Sequence, residues 1–254
     1  MYQDDKDGSV RLSRRVAELA GCSRREAELY IEGGWVRVDG TVVGVPGAKV
    51  LPGQAVAIDQ GAKPEPIADV TLLLHKPPGY ATEGCVPGRP PRPALELLAP
   101  VHQQPGDRSG LRTVRRHFDQ LCLTPLEPAA SGLVVFSQDG RIQRKLREEA
   151  ALIEHELQVD VAGLVAPEVL QQLNRAPVVD GRAMQPAKVS IARQSGAMTG
   201  LRFATKGHWP GRLAQMCDAA GLEIQAMRRI RIGRVALAGL EPGRWRYLLP
   251  HERI

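Results

Sequence analysis

A chain of 254 residues with 43% apolar and 24% charged side chains has the make-up of a globular protein, long enough for a small domain joined to a medium one. No stretch approaches the roughly 18 apolar residues of a membrane helix, and the first residues, with Asp4, Asp5 and Asp7, lack the apolar run of a secretory signal. A cytoplasmic protein is expected, with no membrane association. Cys22, Cys85, Cys122 and Cys217 show no CxxC spacing, so they read as reduced thiols rather than zinc ligands or a disulfide framework.

Leu12 to Gly21 carries Val16, Leu19 and Ala20 on one side and predicts a short helix. Ser23-Arg-Arg-Glu26 is a capping box that opens a second helix. That helix has Ala27, Tyr30 and Ile31 at helical spacing and ends at Gly33-Gly34. Val36 to Val38 and Thr41 to Val43 flank Asp39-Gly40, a pair favoured in two-residue hairpins. More strand is expected between Val50 and Ile58. Gln60 to Asp69, with Pro64 and Pro66, reads as a linker. A buried strand begins at Leu72, and an irregular region follows from Lys76 to about Arg112. Its first thirty residues hold eight prolines, as functional loops often do. Gly132 to Ser137 predicts a strand and Arg141 to Glu149 a basic-faced helix. Then come a strand at Leu157 to Val161, a helix at Pro167 to Leu173, and strands at Lys188 to Ile191 and Gly200 to Ala204. A helix at Gly211 to Ala220 and strand from Ile224 to Ile232 complete the order.

This order lacks a βαβ repeat and predicts an α+β protein. A tail at 1–9 leads into a helix-hairpin module at 10–59. A linker at 60–69 joins it to a domain at 70–254, a mixed, mainly antiparallel β-sheet flanked by helices.

The net charge of +6 is unevenly spread. Between Val10 and Arg25 stand Arg11, Arg14, Arg15, Arg24 and Arg25 against Glu18 alone. From Arg202 to Arg246 nine basic residues face three acids. Two such concentrations suit a phosphate-rich partner.

The run from Arg11-Leu-Ser-Arg-Arg15 through Cys22-Ser-Arg-Arg-Glu-Ala-Glu28 to Gly34-Trp-Val-Arg-Val-Asp-Gly40 resembles the alpha-L, S4-type RNA-binding module. Arg24 and Arg25 would sit in the first turn of a helix, where unpaired amides and the dipole add to their charge. Arg11, Arg14 and Arg15 would offer further guanidinium forks to structured RNA.

Four later stretches resemble the bacterial rRNA pseudouridine synthases. Leu74-His-Lys-Pro-Pro-Gly79 is similar to the family's N-K-P-x-G strand end. Pro125-Leu-Glu-Pro-Ala-Ala-Ser-Gly132 and the residues to Gly140 are similar to its catalytic motif. Glu156-Leu-Gln-Val-Asp-Val161 is similar to the strand bearing its active-site tyrosine. Arg229-Ile-Arg-Ile-Gly233 and Leu240-Glu-Pro-Gly-Arg-Trp-Arg246 are similar to its C-terminal signature. The departures fall where chemistry is expected. Glu127 stands for the catalytic aspartate, Pro125 for the arginine before it and Leu157 for the tyrosine. Ala214 and Gln215 stand where basic residues belong, with Arg212 nearby.

The resemblance implies isomerisation of a flipped uridine in ribosomal RNA, driven by a carboxylate near C1′ without metal or cofactor. It assigns Glu127 as catalytic, with Lys76, Leu157 and Arg212 as substrate-binding residues. Arg229 and Arg231 join the N-terminal arginines as RNA contacts. No Walker, GxGxxG, GxSxG or HExxH motif points elsewhere. The implied partner is ribosomal RNA or a pre-ribosomal particle, met by a monomer. The alternative is a non-catalytic RNA-binding or ribosome-assembly factor that keeps the synthase fold.

Overall fold

The computed structural model describes residues 8–84, 89–175, 178–179, 182–183, 186–207 and 211–254. Cys85, the acidic tail at 1–7 and Trp209-Pro210 lie outside these. The chain forms two compact units: residues up to 69 with 110–119, and residues 70–109 with 120–254.

In the first unit, α1 (Leu12–Ala20) ends on Gly21 in the left-handed conformation, and α2 (Arg24–Glu32) starts from Ser23. The capping box forms in full. The Ser23 hydroxyl accepts the Glu26 amide hydrogen at 3.2 Å, and the Glu26 carboxylate accepts the Ser23 amide hydrogen at 2.9 Å. The hairpin of β1 (Val36–Val38) and β2 (Thr41–Val42) turns at Asp39 and Gly40, with φ of 49° and 80°. Both central residues have positive φ, as a type I′ turn needs. β3 (Val56–Ile58) pairs with the other edge of β1. Between Val50 and Ile58 the chain is not continuous strand, because a turn at 52–54 separates Lys49–Val50 from β3. Leu12, Val16, Ala27, Ile31, Val36, Val38 and Val50 form one buried cluster. The apolar stripes of both helices thus meet the inward side of the small sheet.

The second unit is built on a sheet of β4 (Thr71–Lys76), β5 (Ser131–Ser137), β6 (Glu154–Ala162), β7 (Lys188–Ser195), β8 (Met198–Lys206), β9 (Ile224–Ile232) and β10 (Trp245–Tyr247). Their order is β7-β8-β6-β9-β5-β4-β10, with short strands at Leu121–Cys122 and Val235–Ala236 on β5 and β9. All main pairings are antiparallel except β5 with β9. Helices α3 (Gly140–Glu148), α4 (Pro167–Leu173) and α5 (Arg212–Ala219) complete the mixed α+β layout.

Two buried clusters fill this unit. Leu157, Val159, Val161, Leu201 and Phe203 of β6 and β8 pack against Leu173 of α4 and Leu213, Met216 and Cys217 of α5. Leu73, Leu133 and Val135 pack with Leu146 of α3, Ile232 and Ile254. Alternate residues of β6 enter the first cluster, leaving Gln158 and Asp160 on the other face. The irregular region after Lys76 contains a short parallel pairing of Tyr80–Ala81 with Arg92–Pro93 and several 3₁₀ turns.

Candidate active site

Thr124 to Ala130 forms the approach to β5 and carries Glu127. Two buried cations hold this loop by its main chain. Arg229 of β9 is 1% exposed. Its guanidinium donates to Leu133 O at 2.7 Å, Pro125 O at 3.1 Å and Thr124 O at 2.5 Å. Lys76, at the end of β4, is fully buried. Its ammonium donates to Tyr80 O at 2.8 Å, Pro77 O at 3.1 Å, Ala130 O at 2.5 Å and Pro128 O at 3.4 Å. One cation therefore grips the carbonyls before Glu127 and the other those after it. Thr82 adds a reciprocal pair with Leu126, its hydroxyl taking Leu126 N–H at 3.0 Å and donating to Leu126 O at 3.2 Å.

The Glu127 carboxylate accepts the Gly211 amide hydrogen at 2.5 Å. Gly211 is the N-cap of α5, with φ of 78°. The acid thus sits on the positive end of a helix, where free amides and the dipole favour an anion. Burial pulls the Lys76 ammonium down to about 8, aided by the Arg229 charge and opposed by Glu127. Burial brings Arg229 down to about 10, opposed by Cys122 and Glu127. Both stay charged at neutral pH, and both place positive potential beneath Glu127.

Glu127, Leu157, Arg212 and Arg229 line one cleft with Leu126, His155, Thr205, Gly207 and Leu213. The free space is about 20 Å³, room for roughly one water molecule. A nucleobase enters only as these side chains move. Arg212, the first residue of α5, is 5% exposed, and burial lowers its pKa.

Three assignments need correction. Lys76 is not placed to touch substrate, because its ammonium is enclosed by main-chain carbonyls. Arg229 is not an RNA contact, because its guanidinium is interior and committed to the Glu127 loop. Arg231 donates to Glu156 at 3.0 Å and also to Glu154 and the Gly233 carbonyl, so its fork is taken by the protein itself. Arg202 donates to Glu156 at 2.6 Å from the other side. Arg231 first, and Arg202 after it, hold Glu156 below the usual carboxylate range. The first unit leaves its arginines outward: Arg11, Arg14, Arg15, Arg24 and Arg25 are all exposed. Three of them make surface helical pairs, Arg14 with Glu18 at 3.0 Å and Arg24 and Arg25 with Glu28 at 3.5 and 3.7 Å. Such pairs are worth about 0.3–0.5 kcal/mol and yield readily to a phosphate.

Sequence reasoning missed the Gly211 amide, since a main-chain donor has no residue signature beyond the glycine that starts α5. It also missed that His155, Thr205 and Gly207 line the cleft. The alternation of β6 puts His155 on the same face as Leu157 and could have found it. Among the described residues no group of three or more His, Cys, Asp or Glu is arranged to hold a metal, and no helix is long and apolar enough to cross a membrane.

The sequence matches the S4 domain over residues 10–56. The dual-specificity RNA pseudouridine synthase RluF of Escherichia coli (strain K12) is 26% identical over 251 residues, spanning 98% of this chain and 78% of that protein. The ribosomal large subunit pseudouridine synthase B of Bacillus subtilis (strain 168) is 27% identical over 249 residues, spanning 95% and 93%. A crystal structure of a pseudouridylate synthase matches with a TM-score of 0.57 at 18% identity, covering 94% of this chain and 96% of that one. Fold and domain content define an S4-bearing protein with the pseudouridine synthase architecture. Over nearly its whole length the chain is similar to RNA pseudouridine synthases, and it carries an S4 domain at residues 10–56.

Proposed function

We propose that this protein converts a specific uridine of ribosomal RNA to pseudouridine, with Glu127 as the catalytic carboxylate. The observation that carries this is the seat of Glu127: its loop is fixed on both sides by buried cations, and its carboxylate rests on the α5 N-terminus inside a cleft. In the reaction the C1′–N1 bond breaks, the uracil turns, a C1′–C5 bond forms, and the C5 proton leaves while N1 regains one. Atoms and electrons balance without an oxidant, and a carboxylate at the sugar suffices as nucleophile or base. We assign Leu157 to the face of the flipped uracil and Arg212 to the same substrate. Residues 10–59 hold the RNA through Arg11, Arg14, Arg15, Arg24 and Arg25, and residues 70–254 carry the chemistry. The protein acts as a cytoplasmic monomer on ribosomal RNA or a pre-ribosomal particle and needs no metal or cofactor.

Two observations favour a second reading, a binding factor that keeps the fold: Leu157 replaces the tyrosine, and the cleft is small. Mapping pseudouridines across ribosomal RNA from a strain lacking this protein separates the two. The catalytic reading predicts the loss of one or a few sites, restored by the wild-type gene and not by a Glu127→Gln gene. An unchanged map contradicts it.

A further inference from the structure

Residues 110–119 belong to the larger domain by sequence, yet they pack with the first unit. Arg112 makes the attachment. Its guanidinium donates to Gly34 O at 2.5 Å and to Asp59 Oδ2 at 2.7 Å, and lies 4.2 Å from the ring centre of Trp35. A planar fork that bonds at its edges while its face stacks on an indole uses everything a guanidinium offers. Asp59 also takes the Arg37 Nε–H at 2.9 Å, so one carboxylate ties this segment to β1. Arg112, then Arg37, hold Asp59 below the usual carboxylate range. Val114 is buried, and the Val114 side chain and the Arg115 Cβ lie at van der Waals distance from where a Cβ on Gly34 or Gly44 would stand, 3.4 and 3.6 Å. The segment is a docked strap.

Charge gives the strap a purpose. Residues 8–69 carry eight basic and eight acidic side chains, a net charge of zero. A module of zero net charge, with several arginines already facing glutamates, is a weak attractor for a polyanion. The strap brings Arg112, Arg115 and Arg116 against Asp119 alone, which takes residues 8–69 together with 110–119 to net +2. Arg115 is exposed, and Arg116 is exposed in a 3.3 Å pair with Asp69 that a phosphate can displace.

We propose that residues 110–119 complete the RNA-binding surface of the first unit, with Arg115 and Arg116 as phosphate contacts and Arg112 as the positioning residue that docks them. The partner is the phosphate backbone of structured RNA. This rests on the RNA-binding reading above, and it adds a stretch of chain outside the S4 match at 10–56.

The test is filter binding of the full-length protein to a ribosomal RNA fragment across a salt series. Each lost phosphate contact lowers the slope of log affinity against log salt by roughly 0.7–0.9. Arg115→Ala with Arg116→Ala should reduce the slope by just under two units, as much as Arg24→Ala with Arg25→Ala. Arg112→Met should give a similar loss, with the thermal midpoint of the larger domain unchanged. Arg144→Ala with Arg147→Ala, two exposed arginines of α3, is the control and should leave the slope intact. An unchanged slope for the strap pair beside a reduced one for Arg24 and Arg25 overturns the proposal alone. An equal loss in the α3 control overturns it too, as bulk charge. No change in either the strap pair or the Arg24 and Arg25 pair removes the RNA-binding reading itself and the strap with it.

Discussion

Glu127 reaches one methylene further than an aspartate, and its backbone position therefore decides whether its carboxylate meets C1′. That position is set by Arg229 and Lys76, neither of which needs to touch the RNA. Arg229→Lys keeps a cation and loses the fork that bonds Thr124, Pro125 and Leu133. Because a misplacement of about 1 Å costs roughly 100-fold, Arg229→Lys should lower kcat by about that factor. KM should stay near the wild-type value. Single-turnover assays against titrated RNA check this, and a change confined to KM would contradict a positioning role.

Lys76 supplies a second check through pH. Its ammonium is held down to about 8 in the folded chain, against an ordinary value of 10.5. Between those values the folded state binds fewer protons than the unfolded one, so stability must rise with pH through this window. The burial penalty is fully present below about pH 8 and is relieved toward 10.5, by about 3 kcal/mol. Urea unfolding from pH 7 to 10.5, taken as wild type minus Lys76→Met, isolates this group from Cys122 and Cys217, whose thiols burial pushes up to about 11. A flat difference would show that the ammonium is not the buried cation described.

At the scale of the element, β9 explains why the arginine assignments went astray. Arg229 and Arg231 are two apart and would share a face in a regular strand. Leu157 pairs with Arg229 while Glu156 pairs with Arg231, so Ile230 is an extra residue. The bulge sends Arg229 into the core and Arg231 to the opposite face. Nothing in the local sequence marks it. The parallel pairing of β5 with β9 is equally illegible, since it joins Ser131 to Arg228 and Gly132 to Arg229 across almost a hundred residues.

Gly132 sits where those strands nearly touch. Its φ is +117°, and a Cβ would lie 2.2 Å from the Arg229 carbonyl oxygen and 2.5 Å from its nitrogen. Gly132→Ala must separate the strands or strain the backbone, at a cost of at least about 3 kcal/mol. The midpoint of urea unfolding reads this directly. A shift worth under about 1 kcal/mol would mean that the two strands are not so closely packed.

By contrast, the helices and hairpin of the first unit were legible because their determinants are local. The capping box lies within Ser23 to Glu26 and the turn within Asp39-Gly40, and each formed as its residues require. The strap was not legible. Its partners, Gly34, Trp35 and Asp59, lie fifty or more residues away, and Arg112 looked like the last residue of an irregular region.

For the molecule as a whole, the family resemblance predicted the architecture, while the departures within it hid the solution this chain adopts. Where the resemblance expects basic residues the chain has Ala214 and Gln215, and the α5 N-terminus with two buried cations supplies positive potential to Glu127 from the protein interior. Whether that substitution keeps the chemistry is the central claim. The direct measurement is single-turnover release of tritium from uridine labelled at C5 in ribosomal RNA or immature ribosomal particles. Wild type should release label, Glu127→Asp should release it more slowly, and Glu127→Gln should stay at background while binding RNA as tightly. Equal release by wild type and Glu127→Gln, or no release by wild type from any ribosomal substrate, would contradict the account.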